Sequence, residues 1–277
     1  NQTDRDLSLG AGVSRADAAC GSLGDRIRVI VPGGDISATG GHGDLNGFSP
    51  YLRFQGMSSI ADGIDVAIDL TGYTLSSRSG IFAFRAAPVQ ISYLGYPGSM
   101  GAPFIDYMIA DHFIIPPQQQ AHYAEKIIFL PHNYLPCDPK REMSSLVPAR
   151  AQENLPRDGF VFCCHNASYK LTPAEFDIWM RLLGKVEGSV LWLLSSNRWA
   201  QENLRAQAAR RGIDGTRLIF AADVAYADYV RRFELADLFL DTFTYNANAT
   251  ASDALWAGLP VLTLPGEGLI ARAAGSL

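Results

Sequence analysis

Apolar positions change their spacing near residue 58. Residues 1–57 are rich in Gly, Asp, Ser and Ala, and their one strand-like run is 27–31. The glycine-dense stretch 32–43 is turn-like and matches neither G-x-G-x-x-G nor a P-loop. From about Ser58, short apolar runs closed by turn residues follow one another. Strands are expected at 64–70, ending in Thr71-Gly72-Tyr73, at 89–94, closed by Gly95-Tyr96-Pro97-Gly98, and at 126–131. Beyond a proline-bearing, charged stretch the pattern alternates between periods near 2 and near 3.6. It predicts strands at 160–164, 189–194, 217–220, 238–240 and 260–264. Between them, Thr172-Pro173-Ala174-Glu175 forms a capping box with proline at the first helical position. The helix it opens buries Phe176, Trp179, Met180 and Leu183. Further helices are expected at 200–211, 227–235 and 250–256, the last stopped by Gly258. Strands spaced by helices in this way imply a parallel, doubly wound α/β sheet.

The domain reading is 1–57 unassigned, 58–140 a partial first half, 141–158 a linker and 159–277 a second half. The chain opens on Asn-Gln and stops at Leu277 within a helical pattern, so a fragment is expected.

Composition narrows the partners. The 277 residues carry a net charge of -5, which gives no long-range attraction to nucleic acid or an anionic membrane. No apolar run approaches the roughly 18 residues of a membrane span, and no signal peptide opens the chain. Of Cys20, Cys137, Cys163 and Cys164, the adjacent pair lies within an apolar run and reads as small buried hydrophobes. No CxxC or HExxH spacing occurs. A reduced, cytoplasmic protein without a structural metal or cofactor is expected.

In open parallel sheets, ligands lie beyond the carboxyl ends of strands. The stretch after 238–240 crowds small and hydroxylated residues at a helix start, where free N–H groups and the helix dipole favour a diphosphate. Asp253 falls one turn in, on the face of Ala249 and Thr250, where its carboxylate can accept from two ribose hydroxyls. The same residues also serve ordinary capping by Asn248 or Thr250. Lys170, just past the strand at 160–164, can reach a phosphate and stabilise a leaving diphosphate, or simply be a solvated loop lysine. Arg231 and Arg232, after Tyr229, could close over a nucleotide or face solvent. His132 and His165 have no nucleophile placed beside them, and a structural or surface role suits both.

The strings FAFRAAPVQ (82–90), LGYPGSMGAP (94–103) and DY (106–107) resemble the first catalytic half of bacterial relatives of the protein O-GlcNAc transferase family. YK (169–170), SVLWLL (189–194), ADLFLDT (236–242), SDALWAG (252–258) and PGE (265–267) continue the resemblance in the family's order, across about 58–277. The resemblance implies a GT-B fold with two Rossmann-like, doubly wound halves, the first incomplete here. It implies an inverting, metal-independent transfer of GlcNAc from UDP-GlcNAc to Ser or Thr hydroxyls of an acceptor protein. By similarity, Lys170 is the phosphate-contacting lysine, Asp253 the ribose-binding aspartate and Thr250 part of the phosphate-binding helix start. Tyr229 and Arg232 match the segment that lines the nucleotide, and no general base is assigned. Where the family usually has His-Thr-Thr, this chain has Asn248-Ala249-Thr250; Thr244 replaces a proline and Gly268 a threonine. The family's His-Pro loop has no counterpart in 1–57, and tetratricopeptide repeats are expected only in a longer chain. A binding module without turnover, or a donor such as GDP-fucose or UDP-glucose, are the alternatives.

Overall fold

The computed structural model describes residues 64–277 apart from Ser76 and Pro139. The expected strand at 27–31 and the glycine-dense stretch lie outside the described residues. The chain divides into two compact units between Tyr134 and Leu135.

The first unit holds a parallel sheet of four strands in chain order: β1 (Val66–Asp69), β2 (Val89–Ser92), β3 (Tyr107–Asp111) and β4 (Lys126–Leu130). Three match the expected runs. The fourth, β3, is not among the expected strands, although Tyr107-Met108-Ile109-Ala110 is an apolar run as long as that of β4. Short 3-10 turns at Ser79–Phe84 and Pro117–His122 lie on two of the crossovers. Ile64, Ala67, Ile81, Phe82, Met100 and Ile105 form much of its core.

Two strands of this sheet end in a buried aspartate that organises the following loop. Asp69 Oδ1 accepts from the N–H groups of Thr71 and Gly72, each at 2.9 Å. Asp111 Oδ1 accepts from Phe113 and Ile114 N–H at 2.8 and 2.7 Å, and its Oδ2 from Tyr134 N–H at 2.8 Å. Gly95 has a packing reason: a Cβ there would stand 2.2 Å from the Leu70 carbonyl oxygen.

The second unit alternates strand and helix. In chain order come β5 (Val161–Cys164), α1 (Pro173–Lys185), β6 (Val190–Leu194), α2 (Arg198–Arg210) and β7 (Leu218–Ala221). Then follow α3 (Tyr226–Arg232), β8 (Leu238–Leu240), α4 (Ala249–Trp256), β9 (Val261–Leu262) and α5 (Ala273–Ser276). All strand pairs are parallel, in the order β7-β6-β5-β8-β9. The order reverses between β5 and β8, which is the switch point where doubly wound sheets hold ligands. Phe176, Trp179, Met180 and Leu183 of α1 are buried against the sheet, as their spacing required. Cys163 and Cys164 are buried free thiols in β5, and burial raises both above the usual thiol range.

Residues 141–158 lie against this second unit. Ser144 N–H donates to the Ala227 carbonyl at 3.1 Å, and Arg150 pairs with Asp237 at 3.1 Å. Among the described residues no helix is long and apolar enough to cross a membrane.

Candidate functional site

The reversal between β5 and β8 brings two loops side by side. Asp241, immediately after β8, is fully buried. Its Oδ1 accepts from Thr242 N–H (2.8 Å), Ala247 N–H (2.6 Å) and Asn166 Nδ2 (3.2 Å), and its Oδ2 from Thr263 Oγ1 (2.6 Å). Burial raises its pKa, and these donors oppose the shift. Asn246 Nδ2 donates to the Thr242 carbonyl at 2.7 Å, closing the loop on itself. Glu175 adds an outside brace. Its Oε2 accepts from Thr172 N–H at 2.9 Å as the expected capping box, while Oε1 accepts from the N–H groups of Phe243 and Thr244. One carboxylate therefore caps α1 and fixes the loop that leads to α4.

Lys170 stands in a short 3-10 turn after β5 and reaches the same loop. Its Nζ donates to the Asn246 carbonyl at 3.2 Å and lies 4.1 Å from the centre of the Tyr245 ring. Partial burial lowers its pKa from the ordinary lysine value, and the carboxylate of Asp241 opposes that shift. The ammonium is thus bound to the loop three residues before the start of α4.

That start is open. Ala249 is exposed, and the first ladder bond of α4 runs from Ser252 N–H to the Asn248 carbonyl at 3.1 Å. The N–H groups ahead of it lack intrahelical acceptors by geometry and carry the positive end of the helix dipole. Asn248 occupies the N-cap position, but its side chain makes no capping bond, and its Oδ1 is buried without a partner. The expected side-chain cap is therefore absent; the backbone at Asn248 (φ -118°, ψ -92°) departs from the extended geometry that caps require.

Asp253 lies one turn further and is 6% exposed. Its Oδ1 accepts from Arg141 Nη1 at 2.6 Å and from Tyr226 OH at 2.7 Å. Burial pushes the carboxyl up, while the Tyr226 hydrogen bond and the Arg141 charge pull it back. The Tyr226 phenol is pushed up to about 12, first by burial and then by this bond. Burial raises the pKa of Tyr229, on α3, and its hydrogen bond with Thr250 opposes the shift.

The two arginines of α3 behave differently from each other. Arg232 is 1% exposed; its Nη1 donates to the Ala222 carbonyl at 2.6 Å, and its guanidinium lies 5.1 Å from the Tyr229 ring centre. It supports Tyr229 from within. Arg231 donates instead to the Ser144 carbonyl and to Glu234. His165 is buried against Trp192, Phe233 and Tyr229, and burial drives its pKa well below the usual histidine value. His132 is exposed. Arg141 and Tyr226 escaped the sequence reading. Arg141 meets Asp253 across 112 positions, and no local periodicity marks so distant a pairing. Among the described residues no three His, Cys, Asp or Glu side chains gather as metal ligands.

The glycosyl transferase family 41 model matches residues 56–146 and 137–277. A probable UDP-N-acetylglucosamine–peptide N-acetylglucosaminyltransferase (SEC) of Arabidopsis thaliana is 40% identical over 239 residues, spanning 82% of this chain and 24% of that protein. The Caenorhabditis elegans UDP-N-acetylglucosamine–peptide N-acetylglucosaminyltransferase is 27% identical over 326 residues, spanning 78% and 28%. Among solved structures, an O-GlcNAc transferase variant of Thermobaculum terrenum superposes with TM-score 0.74 at 29% identity, covering 81% of this chain and 42% of its own. Anabaena HepE, at 16% identity and TM-score 0.54 over 82% of this chain and 70% of its own, shares the fold. The fold is α/β of the GT-B type, and the chain spans about a quarter of the length of the curated relatives it matches. With the family model covering most of its length, this chain belongs to glycosyltransferase family 41.

Proposed function

We propose that this chain is the donor-binding core of an inverting, metal-independent transferase that moves GlcNAc from UDP-GlcNAc to Ser or Thr hydroxyls of a protein. The observation that carries the reading is that the loops after β5 and β8, at the switch point, carry the Lys170 ammonium bound to the Asn246 carbonyl and the open start of α4, with the Asp253 carboxylate one turn into that helix. The names of the Arabidopsis and Caenorhabditis relatives support the donor and the peptide acceptor.

In this reading the diphosphate lies over the N–H groups of Ala249 and Thr250, beside Lys170, and Asp253 accepts from the ribose. Tyr229, backed by Arg232, lines the nucleotide. The acceptor oxygen attacks the anomeric carbon from the face opposite the diphosphate. The bond from that carbon to the diphosphate oxygen breaks, and the hydroxyl proton leaves to a base that the described residues do not identify. Charge gathers on the departing diphosphate, where a fixed ammonium and helix N–H groups are worth most. These groups supply the positive charge a metal would otherwise bring. The buried thiols of Cys163 and Cys164 suit a reducing, cytoplasmic setting.

Incubation with radiolabelled UDP-GlcNAc and a Ser/Thr peptide library, with and without EDTA, tests the activity. Labelling that survives the chelator supports it, and labelling that EDTA abolishes refutes metal independence. Asn248 and Ala249 favour a second reading, binding without turnover, because this helix start lacks a side-chain cap and one hydroxyl. UDP binding without hydrolysis or transfer selects it.

A further inference from the structure

Arg141 is built into the site more firmly than a surface arginine. Lys140 N–H donates to Asp138 Oδ1 at 2.8 Å, and Arg141 N–H to the Asp138 carbonyl at 3.3 Å, so the backbone carrying Arg141 is fixed. The guanidinium donates from Nη1 to Asp253 Oδ1 at 2.6 Å and from Nη2 to Ser252 Oγ at 3.2 Å, and it covers the Trp256 ring at 5.5 Å. Both members of the ion pair are nearly buried, with side chains 11% and 9% exposed. Cys137 Sγ, 3.3 Å from Ser252 Oγ, ties the same segment to α4 a second time.

The donors are unevenly shared. Arg141 and Tyr226 both address Oδ1, and among the described residues no donor reaches Oδ2. A carboxylate held by two donors on one oxygen cannot turn freely, so its other oxygen is presented in one direction. An oxygen presented in this way suits a neutral diol, whereas a carboxylate already neutralised by Arg141 is a poor partner for a second cation.

We propose that Arg141 is a positioning residue for Asp253: with Tyr226 it holds Oδ1 so that Oδ2 reads the ribose hydroxyls of a nucleoside diphosphate. This rests on the donor-site reading above. Arg141 itself need not touch the ligand. Its planar fork spans Asp253 and Ser252 together, which a lysine cannot do.

Calorimetry with two probes, UDP and 2′,3′-dideoxy-UDP, separates positioning from general support. The unaltered chain prefers UDP. In Arg141→Met, UDP affinity falls roughly tenfold, as expected for loss of a hydrogen-bonded charge partner, while dideoxy-UDP affinity stays within about twofold. The preference therefore collapses. Arg141→Lys restores part of it, and Tyr226→Phe shows a smaller change of the same pattern in a fold that loses only a hydroxyl. Equal losses for both probes in Arg141→Met and Tyr226→Phe overturn positioning, and tighter UDP binding shows that Arg141 obstructs the site. An unaltered chain that binds both probes equally overturns the inference and leaves the donor site standing. One that binds neither removes both.

Discussion

Lys170 and His165 are both pushed below their ordinary pKa by burial, with opposite consequences. For Lys170 the charged form is the useful one. UDP affinity is therefore predicted to weaken on the alkaline side at a lower pH than an ordinary lysine would give, and a binding titration against pH checks this. Lys170→Met should abolish that limb. His165 is buried neutral with both ring nitrogens unpartnered. The unfolded chain takes up its proton near pH 6.5 while the folded chain resists it. Stability is thus complete above about pH 6.5 and is lost as pH falls toward the folded value, by up to about 1.4 kcal/mol per pH unit. Melting temperature measured from pH 7.5 to 5 should fall more steeply in the unaltered chain than in His165→Gln. The cysteine pair was legible from its apolar neighbours, but the burial of His165 was not, because a histidine at a strand end has no spacing signature.

Helix α1 and the loop after β8 share one carboxylate. Thr172→Ala should cost about 1 kcal/mol, the ordinary value of a lost cap. Glu175→Ala should cost more, about 2–3 kcal/mol, because three backbone N–H groups lose their acceptor. Urea midpoints of the two variants test the order, and equal losses would show that the bonds to Phe243 and Thr244 contribute little. Gly95→Ala should destabilise the first unit by about 1–3 kcal/mol, since its Cβ would meet the Leu70 carbonyl oxygen. The capping box at Thr172 was readable because it is a local pattern within four residues. The second use of Glu175, 68 positions from Phe243, was not. β3 was missed although four of its five residues are apolar, because so short a run fits strand and helix alike, whereas α1, with four buried large side chains in eight residues, declares itself.

Across the whole chain, alternation of strands and helices foretold the parallel sheet of the second unit, and its switch point follows from the strand order. Lys170, Thr250 and Asp253 were singled out because each stands at a strand end or helix start, where ligand chemistry is expected. Arg141 and Tyr226 were not, since only the folded chain brings them to Asp253. Family 41 membership rests on nearly the full described length, while the relatives are about four times longer. The donor site is therefore the part of the account that this chain can answer for by itself. Isothermal titration with UDP, on the unaltered chain and on Lys170→Ala and Asp253→Ala, tests it most directly. Saturable binding at one site, weakened about tenfold or more in each variant, is the predicted result. An unaltered chain that binds no UDP, or variants that bind it undiminished, would contradict it.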